Sequence, residues 1–390
     1  MHKINLPLGT RAEFGERAGR KQFLVTELQK SLQKRNFMKV NTPLLEYQEV
    51  FANFDLKQMR TYQLLDRNNN TVVLRPDLTL PIARLLTTTN IKLPQKFYYV
   101  GDLFKIAKEL SGRNNQMTQA GIELVGYSSL KAELECLLLI NRISQKWLNN
   151  NVKIEISHAC FADSLLASIT SNSKLKSKIK HELYRKRIPE YQKAIKQFEN
   201  TDNYVFLQMW PRLFGKVDDI TKMLKGIKLP SLAQSSLQET IKVAKWVSKI
   251  PSQKVIIDLS TAPPQRYYTG ITFKGFVNDI PEYLFSGGRY DQLLESFQAQ
   301  PEPAVGMGID IDLLTEIAEI KEKKEKKEYL FFEPDQIEYA AKLLLQNVNY
   351  ELSLEDNLET AKEKARLENI RLLKINKQGE IENVVENSSY

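Results

Sequence analysis

Residues 287–291 read Gly287-Gly288-Arg289-Tyr290-Asp291, the most specific run in this 390-residue chain. Two adjacent glycines allow a close backbone approach that no other residue type permits. Three further motifs precede this run, and in chain order they are Leu74-Arg75-Pro76-Asp77-Leu78-Thr79, Gln119-Ala120-Gly121-Ile122-Glu123 and Tyr267-Tyr268-Thr269-Gly270. The order of these motifs, more than any one of them, decides the fold that we predict.

The side chains in these motifs suit the recognition of an amino acid. Asp77 and Thr79 follow a predicted strand at a proline-stiffened bend, and a carboxylate there can pair with an ammonium group. Gln119 and Glu123 lie four residues apart, so their side chains share one side of either a helix or a strand. Taken alone, both could be ordinary surface residues, and the tyrosine pair at 267–268 could be core packing. Their occurrence together favours a binding site.

Together the four motifs resemble the catalytic domain of the histidyl-tRNA synthetases, which are class II aminoacyl-tRNA synthetases. The resemblance covers roughly residues 5–320 and implies an α+β fold with an antiparallel six-stranded sheet flanked by helices. In that family the Gln/Glu pair reads the amino group and imidazole of histidine, and the tyrosine segment is the histidine-specific signature. The resemblance therefore implies a site for free histidine formed by Asp77, Thr79, Gln119, Glu123, Tyr267 and Tyr268.

Three arginines with which such enzymes handle ATP are replaced in this chain by Lys105, Pro263 and Leu313. Arginine binds phosphate with a planar, bidentate fork that lysine does not offer. Preorganised charges of this kind supply most of the stabilisation in a reaction at phosphate. We therefore expect no synthetase activity, assign no catalytic residues and expect no cofactor.

A retained histidine pocket without an ATP site most resembles the ATP phosphoribosyltransferase regulatory subunits. That resemblance implies a hetero-oligomer with the short-form catalytic subunit, in the first step of histidine biosynthesis, and feedback inhibition by histidine. It also implies a dimer of this chain, built by the predicted N-terminal helix and the proline-bearing strand after it. Two alternatives stay open: a working histidyl-tRNA synthetase, and an RNA-binding or signalling paralogue. Binding of tRNA is not expected from the regulatory type.

The predicted domain organisation has four parts. Residues 1–160 and 251–320 form the synthetase-like domain, 161–250 a basic helical insertion, 321–328 a charged linker, and 329–390 a small α/β unit. Within them we predict a helix over 12–36, another over 130–148, and strands at Thr71–Leu74, Phe97–Gly101, Gly121–Tyr127 and 254–259. The C-terminal unit should alternate strands (329–332, 349–352, 370–375) with helices (334–346, 356–367) and end in a frayed tail.

Composition limits the remaining functions. Residues 161–250 carry 17 Lys/Arg and 8 Asp/Glu, an excess that accounts for the whole formal charge of +9. This segment could meet RNA, an acidic protein or an anionic substrate, or it could be a solvated helical surface. No apolar run long enough to span a membrane and no secretory signal is present. Three histidines and two scattered cysteines predict neither a zinc site nor disulfides, which fits the cytoplasm.

Overall fold

The computed structural model describes residues 5–52, 60–107, 112, 114–277, 280–297, 300–320 and 328–386. The chain divides into two compact units, Met1–Ile320 and Lys321–Tyr390. Within the described ranges no helix is long and apolar enough to cross a membrane.

The first unit contains the four motifs and most of the secondary structure. Its helices are α1 (Gly15–Gln33), α2 (Glu49–Ala52), α3 (Thr79–Thr88), α4 (Lys131–Trp147), α5 (Phe161–Ile169), α6 (Ser173–Tyr184), α7 (Ile188–Ile195), α8 (Tyr204–Met209), α9 (Val217–Met223), α10 (Ser231–Val247) and α11 (Ile311–Ile317). Its strands are β1 (Met38–Lys39), β2 (Leu45–Tyr47), β3 (Gln63–Leu65), β4 (Thr71–Leu74), β5 (Gln95–Phe104), β6 (Gln116–Val125), β7 (Val152–His158), β8 (Phe214–Gly215), β9 (Lys254–Asp258), β10 (Ile271–Val277), β11 (Tyr283–Arg289) and β12 (Ala304–Asp310).

The main sheet has nine strands in the order β1-β5-β6-β12-β11-β10-β7-β9-β8. The six strands from β5 to β7 in this order all pair antiparallel, which confirms the predicted fold class. The predicted number of six strands was too low, because β1 joins β5 in parallel and β9 joins β7 in parallel, with β8 outermost. Strands β1 and β8 have two residues each, too few to produce a pattern in the sequence.

The two faces of this sheet are covered differently. On one face, α1, α4, α10 and α11 pack over what we call the main core, which includes Leu24, Ile122, Ile140 and Ile309. The other face, here called the site face, carries a smaller apolar cluster that includes Leu80, Phe97, Tyr99 and Tyr268. A small sheet, β2-β4-β3, and helix α3 accompany this face. Because side chains alternate along strands, each long strand contributes to both faces.

The interval 161–250 is helical apart from β8, and it stays within the first compact unit. Its buried centre is an aromatic cluster in which the ring of Trp210 lies 5.9 Å from Phe161 and 5.7 Å from Phe206. The indole nitrogen of Trp210 donates a 2.7 Å hydrogen bond to the carbonyl of Leu259, just after β9. Many of its lysines, including Lys174 and Lys193, are exposed. The boundaries of this interval as an insertion stay a prediction.

The second unit follows the predicted alternation closely. It consists of β13 (Glu328–Phe331), α12 (Ile337–Gln346), β14 (Tyr350–Leu352), α13 (Leu358–Glu368), β15 (Arg371–Ile375) and β16 (Ile381–Val385), with strand order β14-β13-β15-β16. The frayed tail predicted for the last residues falls on 387–390, which lie outside the described residues. Before it, residues 381–385 form a strand that was not predicted and that pairs antiparallel with β15 after a tight turn at Gly379. The predicted charged linker lies outside the described residues, except for Glu328, which begins β13.

Candidate functional site

Asp77 and Thr79 lie where the chain passes from β4 into α3. The carboxylate of Asp77 accepts a 2.8 Å hydrogen bond from the backbone N–H of Leu80, in the first turn of α3. The bend itself is held by Arg75, whose guanidinium donates to the carbonyls of Thr42 and Pro43 and to that of Asp102 at 2.9 Å. The arginine of this motif is therefore structural, and it positions the two polar side chains that follow.

Gln119 and Glu123 lie on strand β6, which decides between the two possibilities left open by their spacing. Both side chains project onto the site face, and in the sheet they pair with Asp310 and Gly306 of β12. A Cβ atom at Gly306 would lie only 1.7 Å from Oε2 of Glu123. A Cβ at Gly308 would lie 2.8 Å from Nε2 of Gln119. Glycines thus leave the space in which these two side chains lie against the sheet.

Glu123 is the most deeply buried of the predicted binding residues, with 1% of its surface exposed. One carboxylate oxygen accepts a 2.8 Å hydrogen bond from the hydroxyl of Thr79, and the other accepts from the hydroxyl of Tyr290. Burial raises the pKa of Glu123 to about 8; the two hydrogen bonds oppose this shift and the nearby Asp77 adds to it. A carboxyl group in this condition is ready to ionise when a cationic or N–H donor ligand arrives.

Tyrosines form the wall of the site opposite β6. The rings of Tyr267 and Tyr268 lie 5.1 Å apart, and Tyr267 meets Tyr290 edge-on at 5.7 Å. Burial raises the pKa of Tyr268 well above its ordinary value, so its hydroxyl stays neutral. The structure therefore brings all six predicted residues to one region of the site face.

Sequence reasoning missed two members of this site. The hydroxyl of Tyr99 donates to Oε1 of Gln119 at 3.1 Å, and the hydroxyl of Tyr290 contacts Glu123. Tyr290 belongs to the glycine-rich motif at 287–291, so its place in that motif was the signal available. For Tyr99 the signal was strand alternation alone, which does not separate a binding residue from a core residue.

The arginine of the 287–291 motif is also structural. Arg289 makes a bidentate ion pair with Glu133 of α4, at 2.7 and 2.8 Å, and both side chains are almost fully buried. It further donates to the carbonyl of Tyr127 at 3.2 Å. This pair joins the end of β11 to α4 on the face of the sheet away from Glu123.

The three positions at which the synthetases carry ATP-handling arginines lie in different parts of this structure. Lys105 follows β5 on the site face and is half-buried, whereas Pro263 lies in the loop before β10. Leu313 lies in α11 and packs against the main core. Asp310, just before this helix, accepts a 2.9 Å hydrogen bond from the N–H of Leu313 and so caps it. Two of the three positions thus offer a ligand no charge.

A cavity of about 420 Å³ lies elsewhere, between α10, α5 and the loop after β6. It is lined by His158, Ser164, Glu239 and Asp291 among others, and by none of the six predicted residues. Both ring nitrogens of His158 have protein partners: the backbone N–H of Cys160 donates to Nδ1, and Nε2 lies 3.5 Å from Glu239. The predicted amino-acid site, in the tyrosine-walled region, is therefore separate from this cavity.

Comparison with known proteins identifies the family of this chain. The family model described as histidyl-tRNA synthetase matches residues 12–314. The ATP phosphoribosyltransferase regulatory subunit of Lactiplantibacillus plantarum is 44% identical over 374 residues, covering 96% of this chain and 98% of its own. That of Limosilactobacillus fermentum is 39% identical over 383 residues, covering 98% and 99%.

Solved structures give the same picture. A protein from Bacillus halodurans C, described as an ATP phosphoribosyltransferase regulatory subunit/histidyl-tRNA synthetase, superposes with a TM-score of 0.80 at 25% identity, covering 93% of this chain and 97% of the other. The histidyl-tRNA synthetase from Nostoc sp. PCC 7120 shares the fold, with a TM-score of 0.76 at 16% identity over 99% of this chain and 97% of its own. The chain therefore belongs to the ATP phosphoribosyltransferase regulatory subunits, a family with the histidyl-tRNA synthetase fold.

Proposed function

We propose that this regulatory subunit binds free histidine at the tyrosine-walled site, and that the bound histidine lowers the activity of a short-form ATP phosphoribosyltransferase catalytic subunit. The observation that carries the proposal is the buried Glu123, held by Thr79 and Tyr290 beside Asp77 and Gln119. Histidine offers an α-ammonium group to Asp77 and ring and amino N–H groups to the Gln119–Glu123 pair. Such buried acceptors discriminate strongly, because a ligand that leaves them unpaired loses several hydrogen bonds.

The partner is part of the same proposal. The names of the relatives support an assembly with a catalytic phosphoribosyltransferase subunit in histidine biosynthesis. We further propose that two copies of this chain pair through α1 and the segment containing β1 and β2, and that the assembly resides in the cytoplasm. Co-expression with the short catalytic subunit should give one co-purifying species with raised activity. Two separate species at micromolar concentrations, with no gain in activity, would contradict the partnership.

Feedback by histidine requires that the ligand bind the inactive assembly more tightly than the active one. A coupling free energy of about 1–3 kcal/mol, or roughly 5–150-fold, is typical of such regulation. In the assembled complex, Glu123→Ala and Gln119→Ala should therefore weaken inhibition by histidine while uninhibited turnover stays nearly unchanged. Tyr268→Phe should have a milder effect, since it removes only one hydroxyl. Full histidine sensitivity in both alanine variants would place the effector site elsewhere.

The last part of the proposal is that this chain has lost the synthetase reaction. The replacements at 105, 263 and 313 support it, because Leu313 packs against the main core and Pro263 has no charge. The purified chain should show no histidine-dependent exchange of pyrophosphate with magnesium-ATP. Robust exchange would instead favour a working histidyl-tRNA synthetase. The exposed lysines of 161–250 would support an RNA-binding role only if RNA affinity fell steeply with salt.

A further inference from the structure

Lys105 lies at the edge of the same site. Strand β5 alternates its side chains, and Tyr99 and Leu103 both belong to the apolar cluster of the site face. Lys105 continues that alternation, because its backbone N–H donates to the carbonyl of Asn115 at 2.8 Å and so extends the pairing of β5 with β6. The next residue is fixed as well, since the N–H of Ile106 donates to the carbonyl of Arg60. The ammonium group therefore projects from a well-held backbone on the binding side of the sheet.

The charge of Lys105 has no direct partner among the described residues. None of their carboxylates forms an ion pair with its Nζ atom, although the side chain is half-buried. Burial lowers the pKa of Lys105, and the charge of Asp77 opposes that shift. Burial raises the pKa of Asp77, and the charge of Lys105 opposes that shift in turn. The backbone N–H of Phe104 donates to the carbonyl of Arg75 at 3.0 Å, so the segments that carry Lys105 and Asp77 lie side by side. The two opposite charges are therefore within electrostatic reach of each other, with no ion pair between them.

Among the described residues, two arginines of the site motifs are bound by other groups of the protein. The guanidinium of Arg75 donates to the carbonyls of Thr42, Pro43 and Asp102. Arg289 is held by Glu133 on the other side of the sheet. An amino acid carries its ammonium and carboxylate on one carbon atom, so a zwitterion fits between a carboxylate and an ammonium that stand apart.

We propose that Lys105 binds the α-carboxylate of the amino acid whose α-ammonium pairs with Asp77. The inference rests on the proposed function and adds its ligand class, a zwitterionic α-amino acid rather than an amine. Lysine is a compact point charge that pairs with a carboxylate but lacks the planar fork that grips a phosphate bidentately. Lys105 can therefore pair with the carboxylate of an amino acid, while it binds a nucleotide phosphate less firmly than an arginine would.

The test compares histidine with histamine, which has the same ring and amino group but no carboxylate. Isothermal titration calorimetry on the full chain would use the natural protein, Lys105→Met, Lys105→Arg and, as a matched control, Lys153→Met at an exposed lysine of β7. Lys105→Met should weaken histidine binding about 10–100-fold, the range for a lost charge-assisted contact, and change histamine binding less than about twofold. Lys105→Arg should keep most of the preference for histidine, and the control should match the natural protein.

Equal losses for both ligands in Lys105→Met would overturn the inference, because Lys105 would then act only by holding Asp77 in its ionised state. The inference is equally overturned if Lys105→Met binds histidine as tightly as the natural protein does. Absence of histidine binding to the natural protein would instead overturn the proposed function, and this inference with it. Thermal melting of each variant would separate a lost contact from a lost fold.

Discussion

The ionisation state of Glu123 should control the affinity of the protein for histidine, and a change of pH tests this dependence. Burial raises the pKa of this carboxyl group to about 8 in the free protein. The ionised form is the stronger hydrogen-bond acceptor and attracts a cation, so a ligand that brings an ammonium group or N–H donors selects it. Replacement by glutamine in Glu123→Gln removes the titration while it nearly preserves the shape of the side chain.

The size of the pH effect on histidine affinity follows from the fraction of protein in which Glu123 is ionised. With a pKa of about 8, roughly 1% of Glu123 is ionised at pH 6 and about half at pH 8. The apparent dissociation constant scales inversely with that fraction, so histidine should bind about 50-fold more tightly at pH 8 than at pH 6 through this group. The sign follows from linkage, because a ligand that binds the ionised carboxylate more tightly lowers its pKa and so releases a proton on binding.

The assay is calorimetric titration of histidine at half-unit steps from pH 6 to 8, with the natural protein and with Glu123→Gln. The ring of histidine titrates near the lower end of this range, and comparison with Glu123→Gln removes the part of this effect that the two proteins share. The ratio of the two dissociation constants therefore isolates Glu123, and it should change by about 50-fold across the range, in favour of the natural protein at high pH. A ratio that stays constant would refute the reasoning, since Glu123 would then already be ionised or would not contact the ligand.

Three further predictions concern packing and stability. Gly306→Ala places a Cβ atom 1.7 Å from Oε2 of Glu123, so it should weaken histidine binding at least about tenfold by calorimetry, whereas Gly19→Ala, in open space on α1, should leave it unchanged. Arg289→Ala leaves Glu133 buried and unpaired, and it should lower the free energy of unfolding by about 3–5 kcal/mol in urea titrations; a loss below about 1 kcal/mol would show that the pair is dispensable. Without ligand, the free energy of unfolding should fall as pH rises from about 5 to 8, because folded Glu123 keeps a proton that the unfolded chain has lost. Glu123→Gln should flatten this trend, and equal slopes in the two proteins would contradict it.

Much of the fold was predictable because its long elements carry strong periodic patterns. The helix predicted over 12–36 is α1, and the one predicted over 130–148 is α4, each with ends shifted by a few residues. The strands β1 and β8 were not predictable, since two residues show no alternation. Strand β16 was missed for another reason: it is held by pairing with β15 across a turn, and the sequence alone does not reveal that partner.

The site was predictable to the extent that charge and motif order defined it. Polar groups in buried segments need hydrogen-bond partners, so polar residues stand out there. In this chain they are Asp77, Thr79, Gln119 and Glu123. The contact of Tyr99 with Gln119 depends instead on the register between β5 and β6, which motifs do not encode. The same register gives Lys105 its place on the site face, so a residue that first indicated only a lost function became a candidate contact.

The position of Leu313 has a consequence for the history of this chain. Leu313 is partly buried and packs against the main core, so a return to arginine would replace apolar packing by a charged guanidinium group. Asp310 caps the same helix through the backbone N–H of residue 313, so this hydrogen bond does not depend on the side chain at that position. A return to arginine at 313 would therefore cost packing, and arginines would still be missing at 105 and 263. The ancestral chemistry is not one mutation away.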